Sequence, residues 1–334
     1  MHVKYACDRD ADALAKHGRR FPDVEQVTEL ERVLDDPEID AVLLATPIST
    51  HHELARRALQ AGKHVFVEKP MASTVEECDD LIEVAEGRGL VLMPGHTFVY
   101  SPPVVRIKEM LERGQLGRLY FGTSTRVNLG LHQSDASVVR DLGPHDFSIL
   151  HYWFGEPAFV RAIARASITD KLDVAFIDLG FPDQSLFHLE IAWLSPSKLR
   201  RTVLIGSEKM IVYDDTATEQ VRVYDWGADI IAPETFGEYQ LSYRSGDITS
   251  PRIDPAEPLQ LELSDFASCI RDGGTPRADA TMGRDVVRMV EATERSLDYN
   301  AAPVWLSEEP DEGRRKPDRR RSVGGMPIRR LPLQ

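Results

Sequence analysis

His64-Val65-Phe66-Val67-Glu68-Lys69-Pro70 is the stretch whose reading decides the fold. Three apolar residues followed by two charges and a proline read as a short buried strand, Val65 to Val67, that stops at its carboxyl end. Open α/β sheets place their ligands at the carboxyl ends of parallel strands, and Lys69 stands at that position. Pro70 makes the Lys69-Pro70 bond a candidate for the cis isomer, which would fix the direction of the lysine. On these seven residues alone, a plain strand end with solvated charges is an equal reading.

The neighbouring segments turn the balance. Upstream, Val3 to Cys7 predicts a strand, Asp10 to His17 a helix, the region of Val24 a short strand, and Thr28 to Asp35 a helix. Ile39 to Ala45 is a fully apolar strand. His51 to Ala61 predicts a helix with Leu54, Ala55, Ala58 and Leu59 inward and Gly62 as its cap. Downstream, Thr74 with Glu77 forms a capping box ahead of Val75, Cys78, Ile82 and Ala85 on one helical face, and Leu90 to Met93 is a strand. Repeated βα units predict a doubly wound parallel sheet of Rossmann type over residues 1–98, the architecture that binds nucleotides. The glycine-rich GxGxxG turn and its preceding strand are not in the sequence. Asp8, after Val3–Cys7, occupies the place of the second strand's acidic residue, so the pattern starts at the second strand. A start set too late is the favoured expectation; impaired folding and cofactor binding is the other. The first strand is central in such a sheet, and without it two halves with exposed edges are expected.

Residues 99–306 carry a different pattern. Pro103 to Arg113 predicts a helix ending at Gly114. Arg118 to Asn128 alternates as an antiparallel-type strand with Leu119, Phe121, Thr123 and Thr125 on one face. Pro144 to Phe154 predicts an amphipathic helix. Strand-like runs follow at Phe159 to Ile168, Asp173 to Phe181, Ser185 to Leu194, Leu199 to Ile205, Met210 to Tyr213 and Val221 to Trp226. Helices at Leu259 to Arg271 and Met282 to Tyr299 close the set. This predicts an α+β domain, a large mainly antiparallel sheet with helices on one face, the other face covered by a partner subunit. Residues 307–334, rich in Arg, Lys, Pro and Gly with no hydrophobic period, read as a disordered basic tail.

Composition excludes several classes. The 334 residues are 42% hydrophobic and carry a formal net charge of −14, which argues against nonspecific nucleic-acid binding. No apolar run approaches a membrane span, and the N-terminus carries no signal segment, so a cytoplasmic protein is expected. Cys7, Cys78 and Cys269 form no CxxC pair and read as reduced thiols. The histidines lack the spacing of a known metal motif, so no metal site is expected.

Three groups of residues point to chemistry. Lys69 is the first. The second is Asp141-Leu142-Gly143-Pro144-His145-Asp146, where Pro144 suits the first turn of a helix and a spacing of four sets Asp141 beside His145. A histidine beside a carboxylate is held in one tautomer and takes a proton near neutral pH. A helix cap at Asp141 with a core histidine is the plain alternative. The third is Thr46-Pro47-Ile48-Ser49-Thr50-His51, which follows an apolar strand and opens a helix, so its N–H groups and the Thr46 hydroxyl can face a ligand.

Taken together, Ala45-Thr46-Pro47 with His51, Glu68-Lys69-Pro70, and Asp141 with His145 resemble the glucose–fructose oxidoreductase/inositol dehydrogenase/MocA family over about Val3 to Leu306. The resemblance implies an N-terminal dinucleotide domain and a C-terminal α/β domain whose sheet mediates oligomerisation, as a homodimer or homotetramer. It implies Lys69 as the catalytic lysine on the reacting hydroxyl, with Asp141 and His145 as the family's aspartate and histidine, His145 taking the proton. Glu68, Thr46, Pro47 and His51 would contact the nicotinamide half of the cofactor. Asp8 suggests NAD over NADP, because a carboxylate repels a 2′-phosphate, and Arg9 beside it weakens that choice. Gly95 to Pro102, Arg126-Val127-Asn128-Leu129-Gly130 and Pro144-His145-Asp146 resemble members acting on nucleotide-linked amino sugars. The implied reaction is oxidation of the 3-hydroxyl of a UDP-N-acetylhexosamine or its uronate, in surface-polysaccharide synthesis, with His96, Arg126 and Asn128 as sugar or phosphate contacts in the domain cleft. A solvated strand face explains Arg126 equally well. Inositol or an aldose is the competing substrate, and a non-catalytic sugar sensor or a metal-using hydrolase or isomerase the competing function.

Overall fold

The computed structural model describes residues 2–130, 136–231 and 240–306; the basic tail lies outside the described residues. The first half runs β1 (Tyr5–Cys7), α1 (Ala11–Gly18), β2 (Glu25–Val27), α2 (Leu30–Leu34), β3 (Ala41–Leu44), α3 (His51–Gln60), β4 (His64–Glu68), α4 (Val75–Arg88) and β5 (Leu92–Gly95). Strands β3, β4 and β5 form one parallel sheet with β4 in the middle, and β1 pairs with β2 in a second, separate parallel sheet. Val65, Val67, Leu59 and Leu81 are fully buried between β4 and the flanking helices. Each such side chain contributes about 1.5–3 kcal/mol relative to exposure. The caps read from sequence are present. Glu77 donates its backbone N–H to Thr74 Oγ1 at 3.2 Å, and the Glu77 carboxylate accepts from the N–H of Ser73 at 2.8 Å. Gly62, at φ +77°, ends α3 in the left-handed region that favours glycine.

The second half adds α5 (Pro102–Glu112), β6 (Leu119–Val127), α6 (Val138–Phe154), β7 (Phe159–Arg165), β8 (Val174–Gly180), β9 (Leu186–Ala192), β10 (Leu199–Gly206), β11 (Met210–Asp214), β12 (Val221–Ile231), β13 (Gln240–Thr249), α7 (Pro258–Asp272), α8 (Ala280–Asp298) and β14 (Val304–Trp305). Nine strands make one sheet in the order β13-β12-β11-β10-β6-β9-β8-β7-β14. All neighbours are antiparallel except β6 and β9. Its inner face (Val160, Ile177, Leu179, Phe187, Leu189, Ile191 and Leu204) is buried in one core with residues of α6 and α8. The other face leaves Phe121, Ile163, Phe176, Leu186 and Leu199 exposed.

Three expectations are corrected. Strands β13 and β14 were not foreseen: Gln240–Thr249 is mostly polar, and Val304–Trp305 is too short to show a period. Leu119 does not share a face with Phe121, Thr123 and Thr125, because the register shifts at Ile205/Gly206; Leu119 is buried while Phe121 is exposed. Finally, α6 begins six residues before Pro144, with Ser137 Oγ accepting from the N–H of Arg140. Pro144 therefore lies inside the helix, where it cannot donate to the Arg140 carbonyl.

Candidate active site

The site grows from the carboxyl edge of β3–β5. Lys69 follows β4 and the Lys69-Pro70 bond is cis. Its Nζ donates to the Asp141 backbone carbonyl at 2.9 Å and to Asp141 Oδ1 at 3.1 Å, on α6. The other Asp141 oxygen, Oδ2, accepts from Trp193 Nε1 at 3.1 Å. Both carboxylate oxygens are thus committed, and the predicted Asp141–His145 pairing is not made. Asp141 aims the lysine instead of the histidine.

Thr46 and Pro47 leave β3 as an exposed turn whose Thr50 hydroxyl bonds Thr46 Oγ1 at 2.8 Å and the Pro47 carbonyl at 2.7 Å. His51 is buried beneath it. One ring nitrogen faces the Thr46 carbonyl at 2.8 Å and the other the Pro70 carbonyl at 2.9 Å. The ring therefore ties the β3 turn to the β4 turn and has no surface for the cofactor contact expected of it. Glu68 Oε2 accepts from the N–H of Lys69 at 3.3 Å and lies against Gly95, where an added Cβ would stand 3.3 Å from that oxygen. The absence of a side chain at 95 gives Glu68 its place.

His145 is half-buried at this edge, edge-on to the Phe98 ring at 5.1 Å. Its pKa is held well below the usual histidine value, by burial first and then by the charges of Lys69, Arg126, His96 and Arg200. At neutral pH it is a free base, able to accept a proton. Arg126, on β6, points inward and is 5% exposed, so it is neither a solvated strand residue nor an open cleft contact. Its Nε donates to Asp146 Oδ2, Ser124 Oγ donates to Asp146 Oδ1 at 2.8 Å, and the guanidinium lies over Phe98 at 4.5 Å. Its Nη1 has no partner, and neither has Asn128 Oδ1, buried within half-buried Asn128. His96 is fully buried beneath the edge, not open to it, and burial pushes its pKa down to about 3.

Asp8 and Arg9 follow β1 in the other parallel sheet, both exposed, with Asp8 Oδ1 accepting from the N–H of Asp10 at 2.9 Å. They are not brought to Lys69. Sequence reasoning missed Trp193, Asp146 and Arg200 as parts of this site. Asp146 carried a signal, a carboxylate on the buried side of a helix; Trp193 and Arg200 carried none, because their partners are distant in sequence. Among the described residues, no group of three His, Cys, Asp or Glu converges as a metal site.

The residues at the ends of β3 and β4 suit the nicotinamide half of a dinucleotide: an exposed hydroxyl turn at Thr46-Pro47, a carboxylate at 68 and an ammonium at 69, on one edge. Asp8 suits a ribose hydroxyl.

Comparison with known proteins shows the family of the chain. Residues 2–96 match the family described as the GFO/IDH/MocA oxidoreductase family, NAD-binding Rossmann fold, and residues 104–212 match the GFO/IDH/MocA C-terminal domain. The chain is 28% identical over 300 residues to scyllo-inositol 2-dehydrogenase (NADP(+)) IolW of Bacillus subtilis, covering 83% of this chain and 82% of that protein. It is 28% identical over 272 residues to UDP-N-acetylglucosamine 3-dehydrogenase of Acidithiobacillus ferrooxidans, 80% of each. The solved structure of GnnA, the UDP-N-acetylglucosamine 3-dehydrogenase of that organism, superposes with a TM-score of 0.72 at 25% identity, covering 88% of this chain and 89% of that one. A levoglucosan dehydrogenase solved with NADH and levoglucosan shares the fold, with a TM-score of 0.76 at 21% identity over 91% and 90% of the two chains.

Proposed function

Because the chain belongs to the GFO/IDH/MocA family of oxidoreductases, with an NAD-binding Rossmann part, we propose that it oxidises a secondary hydroxyl of a sugar or nucleotide sugar. The preferred substrate is a UDP-N-acetylhexosamine reacting at its 3-hydroxyl. The observation that carries this reading is the meeting of Lys69, Asp141 and a deprotonated His145 at one sheet edge. The likeness to a UDP-N-acetylglucosamine 3-dehydrogenase supports the substrate; the likeness to an inositol dehydrogenase supports inositol or an aldose as the second reading.

The chain's own residues have separable tasks. Lys69, aimed by Asp141, donates to the hydroxyl oxygen and stabilises the alkoxide character that develops as C–H cleaves. His145 takes the hydroxyl proton. Thr46, Pro47 and Glu68 would hold the nicotinamide end and Asp8 the adenosine ribose, with NAD preferred to NADP. His51 keeps the two turns in register. Nicotinamide, when bound, supplies the hydride acceptor. Half-buried Asn128, whose Oδ1 has no protein partner, is the polar side chain left for a sugar contact.

In the same proposal, residues 1–98 are the cofactor unit and 99–306 the substrate and oligomerisation unit. A second copy covers the exposed apolar face of the nine-stranded sheet, giving a homodimer or homotetramer. A cytoplasmic location and a part in polysaccharide synthesis belong to it too; among the described residues no helix is long and apolar enough to cross a membrane.

NADH fluorescence titration followed by a turnover assay with UDP-N-acetylglucosamine, scyllo-inositol and glucose tests the reading. Saturable NADH binding with turnover of the nucleotide sugar is expected. Turnover of inositol alone overturns the substrate, and sugar binding without NADH binding overturns the dehydrogenase in favour of a sensor.

A further inference from the structure

A phenyl ring has no hydrogen bond by which to be aimed, so the Phe98 ring beside His145 is only as well placed as the backbone that carries it. Phe98 lies in the 3₁₀ turn Thr97–Tyr100, which leads the chain from β5 into α5 and so from one half of the molecule into the other. Such a turn has three residues per turn, so Thr97 and Tyr100 share one side and Phe98 points about a third of a turn away. Helix α7 packs on the turn. Its Glu262 and Asp265, three apart and neighbours on one helical face, meet the two hydroxyls in register. Thr97 Oγ1 donates to Glu262 Oε2 at 2.7 Å, and Tyr100 Oη donates to Asp265 Oδ2 at 2.6 Å.

Both contacts are anchored further. Glu262 is fully buried, where a carboxyl costs stability unless it is bonded. Asp265 Oδ2 also accepts from the N–H of Arg277 at 2.9 Å, and the Tyr100 hydroxyl accepts from the N–H of Ala278 at 3.1 Å. The Arg277 guanidinium lies over the Tyr100 ring at 5.0 Å. Phe98 turns instead toward α6 and β6. It meets the His145 ring edge-on at 5.1 Å and carries Arg126 at 4.5 Å and Arg200 at 5.6 Å over its ring.

We propose that Glu262 and Asp265 are positioning residues of the site: by holding Thr97 and Tyr100 they seat the Phe98 ring against His145 and limit the water that reaches it. The proposal rests on the dehydrogenase reading above, in which His145 takes the hydroxyl proton; neither acid is assigned contact with substrate. Shielding matters because burial is the largest cause of the low pKa of His145. The groups facing that ring are Lys69 after β4, His96 after β5, Arg126 of β6 and Arg200 of β10, each of which also opposes a proton. Its helix neighbours are taken up elsewhere, Asp141 by Lys69 and Trp193, Asp146 by Arg126 and Ser124. Glu262 itself is pushed up to about 7 by burial first, with the Thr97 bond acting against the rise and Glu68 adding to it. Displacing the ring lets water solvate the charged form of His145, and its pKa then rises toward the ordinary histidine value.

The test is a 15N titration of the histidine side chains in the full, unloaded chain, run beside pH–rate profiles. Tyr100→Phe and Glu262→Leu are expected to move the His145 midpoint upward by about 0.5–1 pH unit and to carry the acid limb of sugar oxidation with it. They should lower kcat roughly tenfold and leave NADH affinity unchanged. Glu262→Gln keeps an acceptor for the Thr97 hydroxyl and should behave like the native chain. The sign separates positioning from a plain charge effect: losing a negative charge at 262 would by itself lower the His145 midpoint, and Tyr100→Phe changes no charge. Tyr100→Phe removes a single oxygen atom, so the test stands should Glu262→Leu fail to fold. A His145 midpoint that stays or falls in folded Tyr100→Phe, or a Glu262→Gln as slow as Glu262→Leu, overturns the proposal. If the native chain turns over no sugar, the dehydrogenase reading fails by itself, and the titration still decides whether α7 seats the ring.

Discussion

The two halves of the site are held by opposite means. On the β3–β5 side, positions are fixed by backbone: His51 ties the Thr46 carbonyl to the Pro70 carbonyl, and a glycine at 95 leaves space for Glu68. On the β6–α6 side, positions are fixed by charge. Arg126 is buried against Asp146, Lys69 is held by Asp141, and Arg200 is held by Asp215 at 3.0 Å. Backbone ties are local and tolerate change at the surface around them. Buried charge pairs hold direction firmly and fail badly when one partner is lost, because the other is left uncompensated. The reacting hydroxyl is read as lying where the two kinds of support meet, at Lys69.

Breaking that junction has the largest expected effect. Lys69→Ala should lower sugar oxidation by about a thousandfold or more through loss of charge stabilisation at the oxygen, with a smaller loss of urea stability than Asp146→Ala, since the Lys69–Asp141 pair is partly exposed and Asp141 keeps its bond from Trp193 Nε1. Asp146→Ala sharpens the charge side. It strands Arg126 in the interior and should cost about 3–5 kcal/mol in urea unfolding, while the Arg126→Met/Asp146→Leu double variant should recover much of that loss. His51→Ala probes the backbone side: an expected cost of about 1–2 kcal/mol in stability, and weaker NADH binding as the Thr46 and Pro70 turns drift apart.

The pH dependence separates the halves more gently. His145 and His96 have pKa values below the unfolded histidine value of about 6.5, from burial first, His96 at about 3. The unfolded chain therefore binds more protons below pH ~6.5, and stability falls as pH drops from there toward ~3. Each buried histidine contributes at most about 1.4 kcal/mol per pH unit. Urea midpoints between pH 7 and 5 should fall, and should fall less in His96→Asn. The oxidation rate should show its acid limb below the ordinary histidine pKa.

Much of the first half was legible because its information is local. The run at 64–70, the Thr74–Glu77 cap and the glycine after α3 each announce a boundary within a few residues, and the expected separation of the parallel strands into two sheets is present. The second half was legible as strands but not as a site. Trp193 reaches Asp141 across 52 positions, and Arg126 reaches inward only because Gly122, Ser124 and Arg126 face the core while Phe121 faces out. Pro144 misled for a definite reason. A proline is the usual mark of a first helical turn, and here it sits within α6, just after the Asp141 whose carbonyl Lys69 takes up.

The most direct test of the account is hydride transfer from a UDP-N-acetylhexosamine deuterated at C3, followed as deuterium in the reduced nicotinamide, in the native chain and in Lys69→Ala. The account predicts that the label appears in the cofactor with the native chain, with a primary isotope effect, and is lost with Lys69→Ala. Label transfer that survives Lys69→Ala at the native rate would contradict it.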